Sequence, residues 1–437
     1  MTAQLIIANG FGVAVASDSA VTMGGTRTYE TSEKIHPLDD PHRLAVLQCG
    51  STLLLGMPVG VLIDQWKASL GSRPQSVEGY RDSFLIWLGD NLDNWSSPQN
   101  REVAAFMSLK RRLWNLGRSV REHLQEFDEP DPHAAVLGIV SETNQMLESW
   151  EVNDPRVQDM ASEILNAWSE PGSDGRPSIG DLLDDLFDGV PRSTEIDREI
   201  NRYVQLSVGG GYEFPSHGLT TVTFVGFGQK EMFPSAVSVR LFGAVGSHVA
   251  RYLLPPVYAE RHGDSYSLIL PLAQRDVIDQ VLTGLNTPLT SHAAAITVER
   301  LEELHVDPDD QEPVLPVPGE SFYSGLVPGA DGDLPEEQES SAGISDGAAA
   351  SFRDEMMADL IQASHDAYLG PALATVAVMP LISLAEIAGA LVAVQNLSQE
   401  IHGDLPTVGG NIDVGTITLN RGFDWINHKG RTQNPHL

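Results

Sequence analysis

Cysteine is almost absent from the 437-residue chain: Cys49 is the only one, so no disulfide can form within it. A lone cysteine inside an apolar run reads as a buried strand position. Lysine is nearly as scarce, with Lys34, Lys67, Lys110, Lys230 and Lys429 the complete set. Positive charge is short in general, 27 Lys and Arg against 60 Asp and Glu, for a formal net charge of −33. A polyanion of that size repels nucleic acid and anionic membrane, and no basic patch opposes this, so neither is an expected partner. The histidines are scattered, with no His-Glu-x-x-His and no Cys/His cluster, so no metal is expected. There is no Gly-x-Ser-x-Gly elbow and no dinucleotide glycine fingerprint. Gly209-Gly210-Gly211 lacks the Lys-Ser/Thr of a phosphate loop, so no cofactor is expected. No internal repeat is visible. No basic-then-apolar leader stands at the start, and a cytoplasmic location is expected.

What the sequence does have is a distinctive beginning. Met1 is followed by Thr2, small enough for methionine removal to leave threonine as the mature N-terminus. Gln4–Ala8 and Phe11–Ala16 are short β-type runs split by Asn9-Gly10, a tight-hairpin signal. Ser17-Asp18-Ser19 closes the second run, and Gly24-Gly25 marks a turn. Thr26–Thr31 reads as strand leading to Lys34-Ile35, and Leu44–Cys49 as a strand ending at Gly50-Ser51.

This order of residues resembles the N-terminus of proteasome β-type subunits and their bacterial relatives among the N-terminal-nucleophile (Ntn) hydrolases. Thr2, the aspartate of "VASDS" (Asp18) and the lysine of "TYETSEKI" (Lys34) stand at that family's spacing. The interval to Gly50 is about two residues longer, which the turn Asp39-Asp40-Pro41-His42 can absorb. The resemblance implies an α+β fold, the four-layer αββα Ntn-hydrolase sandwich. It also implies cleavage of a peptide or other amide bond by a threonine-type peptidase. Thr2 would be the nucleophile, its own α-amine the base, Lys34 a fixed cation paired with Asp18, and the Gly50 N–H an oxyanion donor. A chain that otherwise prefers arginine has kept the compact, pKa-shiftable cation at position 34. Family members carry a further aspartate and serine before a Gly-Ile-Asp strand. This chain has Asp404 and Thr407 before Gly409-Gly410-Asn411-Ile412-Asp413, displaced by about one residue. Where relatives have Gly-Ser-Gly-Ser, this chain reads Ala244-Val245-Gly246-Ser247.

The expected organisation follows. Residues 1–97 begin the core, with helices over Leu53–Leu70 and Val77–Leu92. Residues 98–210 form a helical insertion, with helices over Arg101–Phe127, His133–Trp150, Pro155–Trp168, Ile179–Val190 and Thr194–Leu206. Residues 211–305 continue the core, with strands at Gly218–Gly226, Ala236–Val245 and Ser265–Leu270. Helices are expected from His248 and over Gln274–Leu285 and Ala293–His305. Residues 306–350 are an acidic Pro/Gly/Ser-rich linker. Residues 351–437 supply helices and the last strand pair. Pro371–Gln395 is apolar over the length of a membrane span, but Pro380 divides it and Glu386 interrupts it. Two helices packed on a sheet are expected there. The resemblance implies a homo-oligomer, often a ring, acting on peptides or unfolded proteins with a separate ATPase unfoldase. A small-molecule amidase, a non-catalytic ring or scaffold subunit, and a binding module carried by the insertion are the alternatives.

Overall fold

A computed structural model describes residues 2–23, 27–29, 32–126, 131–149, 165–166, 168–172, 176–209, 219–245, 248–262, 265–286, 289–290, 292–293, 356–402, 408–428 and 431–432. The chain is mixed helix and sheet. Its first hairpin is β1 (Ala3–Asn9) and β2 (Gly12–Ser17), followed by β3 (Ile35–Pro37) and β4 (Arg43–Gly50). Helices α1 (Val59–Ser69) and α2 (Val77–Asp90) follow, then a helical stretch of α3 (Pro98–Glu126), α4 (Pro132–Ser149), α5 (Ile179–Leu186) and α6 (Thr194–Gly209). Strands resume with β5 (Thr220–Phe227), β6 (Ser235–Val245), β7 (His248–Leu253), β8 (Glu260–His262) and β9 (Ser265–Ala273). The rest comprises α7 (Asp276–Thr283), α8 (Gly370–Val376), α9 (Leu381–His402), β10 (Asp413–Thr418), β11 (Gly422–His428) and β12 (Arg431–Thr432).

The strands form two main antiparallel sheets. One runs β8-β9-β1-β2-β10-β11-β12, and the other β7-β6-β5-β4-β3. Alternation along each strand assigns its side chains to two different apolar layers. Ile6, Ala8, Val13 and Val15 of the first sheet meet Ala45, Leu47, Val225 and Phe227 of the second, so the sheets pack face to face. Leu5, Ile7, Ala14 and Ala16 point the other way, onto Leu384, Ala388 and Val392 of α9 and Ile278 of α7. Leu44, Val46, Val222 and Phe224 likewise turn outward onto Trp66, Tyr80 and Phe84 of α1 and α2. Both faces of β1, β2 and β4 are therefore covered, which is why they read as apolar runs rather than as alternating patterns.

Several expected elements differ. The expected helix over Leu53–Leu70 begins only at Val59. Leu53–Leu54 and Met57–Pro58 pair across a turn with Leu55 at φ 51° and Gly56 at φ 86°, and Pro58 sits before the first helical turn. The helix expected from His248 is strand β7, paired with β6 through a bulge near Leu241 and Gly243. Val249 joins the apolar layer under α1 and α2, so sheet packing overrides a weak helical pattern. The run at Thr26–Thr31 is a short strand, Arg27–Tyr29, paired with Val21–Met23. The apolar stretch after Pro371 splits at Pro380 into α8 and α9. Helix α9 is long and apolar enough to cross a membrane by composition, yet it packs along β1, β2 and β10. The helices expected over Pro155–Trp168 and Ala293–His305 and the 306–350 linker lie largely or wholly outside the described residues.

Candidate active site

Strand β1 places Thr2. The ladder with β9 continues past Ala3, paired with Ala273, to a bond from the Gln274 N–H to the Thr2 carbonyl (2.8 Å). Across the hairpin, the Asp18 N–H donates to the Ala3 carbonyl at 3.1 Å. Thr2 is therefore gripped on both sides and only 3% exposed.

The hairpin register also fixes Asp18. Its Oδ1 accepts from the Ala3 N–H at 3.0 Å and from Lys34 Nζ at 2.6 Å. Its Oδ2 accepts from the Gly409 N–H at 3.1 Å. The Asp18 and Lys34 side chains are buried, at 0% and 3% exposure, and form a salt bridge. A pair taken that far out of water survives only with its remaining bonding capacity filled, and the two backbone donors do that for the carboxylate. Burial holds the Lys34 ammonium below its ordinary pKa, while the attraction and hydrogen bond of Asp18 oppose the shift.

The loop after Asp18 is tied to the same place. The N–H groups of Ser19 and Ala20 both donate to the Gly409 carbonyl, and the Ser32 N–H donates to the Ser19 carbonyl. The Gln48 N–H donates to the Lys34 carbonyl at 3.0 Å, which sets β4 beside the lysine. Gln4 joins the two sheets beneath the site, its Nε2 donating to Ser17 Oγ (3.2 Å) and to the Gln48 carbonyl (2.9 Å). Strand β4 then ends at Gly50, with φ +84°. A Cβ built there would lie 2.2 Å from the Leu219 carbonyl oxygen, so no larger residue fits without moving the backbone.

The structure thus brings Asp18 and Lys34 together at the Thr2–Ala3 peptide, with Gly50 two residues beyond Gln48 on the neighbouring strand. Asp404 and Thr407 lie outside the described residues, as does Ser247. Gly409 carries a role the sequence did not suggest, since it meets Asp18 across 391 positions of chain. Gln4 and Gln48 had a visible signal: each is a polar residue in an otherwise apolar strand. Cys49, beside them, is no rival nucleophile, because burial pushes its thiol up to about 11. Among the described residues no group of three or more His, Cys, Asp or Glu is placed to hold a metal ion.

No protein-family model and no curated protein matches the sequence. Among solved structures, the chain is similar to Anbu (ancestral beta-subunit) from Yersinia bercovieri, at 8% identity and a TM-score of 0.28, over 100% of this chain and 89% of that one. A likeness so remote carries no argument about activity.

Proposed function

We propose that the chain is an amide hydrolase of the N-terminal-nucleophile type on an αββα sandwich, with Thr2 as nucleophile once Met1 is removed and peptides as its first substrate class. The observation that carries this is the single Asp18 oxygen shared by the Lys34 ammonium and the N–H that follows Thr2. It anchors a cation to the peptide unit of the residue whose hydroxyl would attack.

The chemistry needs no histidine. The Thr2 α-amine, with an unperturbed pKa of about 7.7 to 8.0, takes the hydroxyl proton as Oγ1 adds to the substrate carbonyl. The resulting oxyanion is met by the Gly50 N–H. The C–N bond breaks as the α-ammonium returns the proton to the departing amine, leaving an ester on Thr2. Water, deprotonated by the same amine, then hydrolyses the ester and frees the acid. Lys34 holds positive charge beside this sequence, and Asp18 holds Lys34 in place.

The test is intact-mass analysis after treatment with a threonine-directed β-lactone or epoxyketone. One adduct on Thr2, in a chain that has lost Met1, is expected. Retention of Met1, or an unlabelled Thr2, overturns the proposal. A peptide panel run beside small acyl-amides separates a peptidase from a small-molecule amidase.

A further inference from the structure

A chain of ionisable side chains runs outward from Lys34 to the surface. Asp18 and Lys34 are its buried end, and Asp413, His428 and Glu33 continue it. His428 Nδ1 lies 3.9 Å from Asp413 Oδ1, and its Nε2 lies 3.6 Å from Glu33 Oε1. Asp413 is buried, His428 half-buried and Glu33 exposed. Strand register builds this chain. Asp413 opens β10 opposite Ser17, and Ser17 lies opposite Gln4 in the first hairpin. Side chains paired across a sheet share a face, so Asp413 is on the side of Gln4, whose amide reaches the Gln48 carbonyl of the second sheet. That is the level at which the Gln48 N–H meets the Lys34 carbonyl. A bulge in β11 then sets the histidine. Val414 is paired with Asn427 but Gly415 with Trp425, so the extra residue, Ile426, advances β11 by one position. His428 rather than Asn427 comes beside Asp413 as a result. The Asn427 side chain donates to the Ile412 carbonyl at 2.8 Å and pins the arrangement, and the His428 ring packs on Trp425 with centroids 4.1 Å apart.

His428 Nδ1 is buried and makes no hydrogen bond, so a proton carried there, in the neutral or the charged ring, is directed at Asp413 Oδ1 by attraction alone. Glu33 faces the ring from its other nitrogen, and Arg431 is the partner of His428 in the β11–β12 pairing. Asp413 in turn is felt at Lys34. Burial lowers the pKa of the lysine, Asp18 opposes that most strongly, and Asp413 acts in the same direction as Asp18. We propose that Asp413 and His428 are positioning residues of this site: Asp413 is a second counter-charge for the Lys34 ammonium, and His428 holds the Asp413 carboxylate toward it. Their effect on Thr2 rests on the nucleophile reading above, and their effect on Lys34 does not. Removing a negative charge here makes each nearby cation easier to deprotonate.

The experiment uses the full chain, with Met1 removal checked by mass, and follows Thr2 labelling by a β-lactone against pH, since the attack needs the free α-amine. Asp413→Asn should move the midpoint of that profile to lower pH by about half a unit or more. Asp90→Asn, at an exposed carboxylate ending α2, should leave it in place. In His428→Phe the labelling rate should fall by on the order of tenfold. His428→Asn, whose amide can again present an N–H to Asp413, should recover most of that rate. An unmoved midpoint in folded Asp413→Asn, or equal rates in the two His428 variants, overturns the proposal, and the two His428 variants decide if Asp413→Asn does not fold. If wild-type Thr2 fails to label, the nucleophile reading falls and the coupling to Lys34 is judged directly. The chain has five lysines, so selective ¹³C labelling of lysine gives five titration curves, with Lys34 assigned by its loss in Lys34→Met. The Lys34 curve should move to lower pH in Asp413→Asn and in His428→Phe, and no movement in either rejects the coupling.

Discussion

Asp18 and Lys34 constrain each other, because each is buried with the other as its only opposite charge within bonding distance among the described contacts. Asp18→Asn should cost about 3 to 5 kcal/mol of stability, since it leaves a buried ammonium without its counter-charge, and should abolish turnover. Asp18→Asn combined with Lys34→Met removes both charges and should recover most of that stability but none of the turnover. Chemical denaturation beside the peptide assay checks this, and recovery of both together would make the pair purely structural. A second buried carboxylate gives a pH signature. Burial pushes Asp279 up to about 6, against the opposing pull of Arg275, whose Nε lies 3.0 Å from Oδ2. Its other oxygen, Oδ1, has no hydrogen-bond partner. A folded-state pKa above the unfolded value of about 3.8 means that the folded chain binds the extra proton. That contribution is complete below pH 4 and is lost as pH rises through 6. Stabilities of the wild type and Asp279→Asn from urea unfolding should therefore diverge between pH 4 and 7, moving in favour of the asparagine variant by on the order of 3 kcal/mol. A pH-independent difference would mean that Asp279 titrates normally.

At the scale of elements, what the sequence revealed depended on how local the determining contacts were. The β1–β2 hairpin was legible because Asn9-Gly10 writes its own turn, and the spacing from Thr2 to Asp18 is then fixed by the register, with Gln4 opposite Ser17. The contact of Gly409 with Asp18 was not legible, because it depends on β10 lying against β2 after nearly the whole chain has intervened. Strand β7 was misread because six residues carry too little periodicity to decide between helix and strand, and pairing with β6 decides it. Helix α9 shows the opposite case, where composition invites a membrane reading and packing answers it. Leu384 is fully buried against the first sheet, while Leu397 and Ile401 are 55% and 67% exposed. Leu384→Ala should cost about 2 to 5 kcal/mol, and Leu397→Ser and Ile401→Ser should each stay within about 0.5 kcal/mol. Equal losses at all three positions in aqueous denaturation would mean that the exposed face is covered by something else.

For the whole molecule, the question is whether the helical stretch 98–209 is part of the two-sheet body or a unit fastened to it. Its apolar cluster is its own. Leu113, Leu116 and Val120 of α3 meet Val136 and Val140 of α4, Leu183 of α5 and Ile200 and Tyr203 of α6, and among the described residues the sheets add only the partly buried Ala250. Three of its polar ties are internal as well: Arg112 donates to the Ser207 carbonyl, Arg121 to the Leu186 carbonyl and Asn144 to the Glu199 carbonyl, while Arg101 at the start of α3 reaches outside it, to the Ser96 carbonyl and Asp93. The attachment to the sheets is the packing of α3 on β6. A module whose contacts close on themselves can open without unfolding its neighbours, and hydrogen exchange then sees two protection levels rather than one. Leu113→Ala, at a site that is 0% exposed, should lower the opening free energy of amides throughout α3 to α6 by about 2 to 5 kcal/mol. Amides of β1, β2 and β4, which hold the Thr2, Asp18 and Lys34 cluster, should keep wild-type protection, and labelling of Thr2 should proceed at the wild-type rate. If protection in β1 and β2 falls in step with α3, the insertion and the site fold as one cooperative body. The helices would then be a structural wall of the site rather than an attachment beside it.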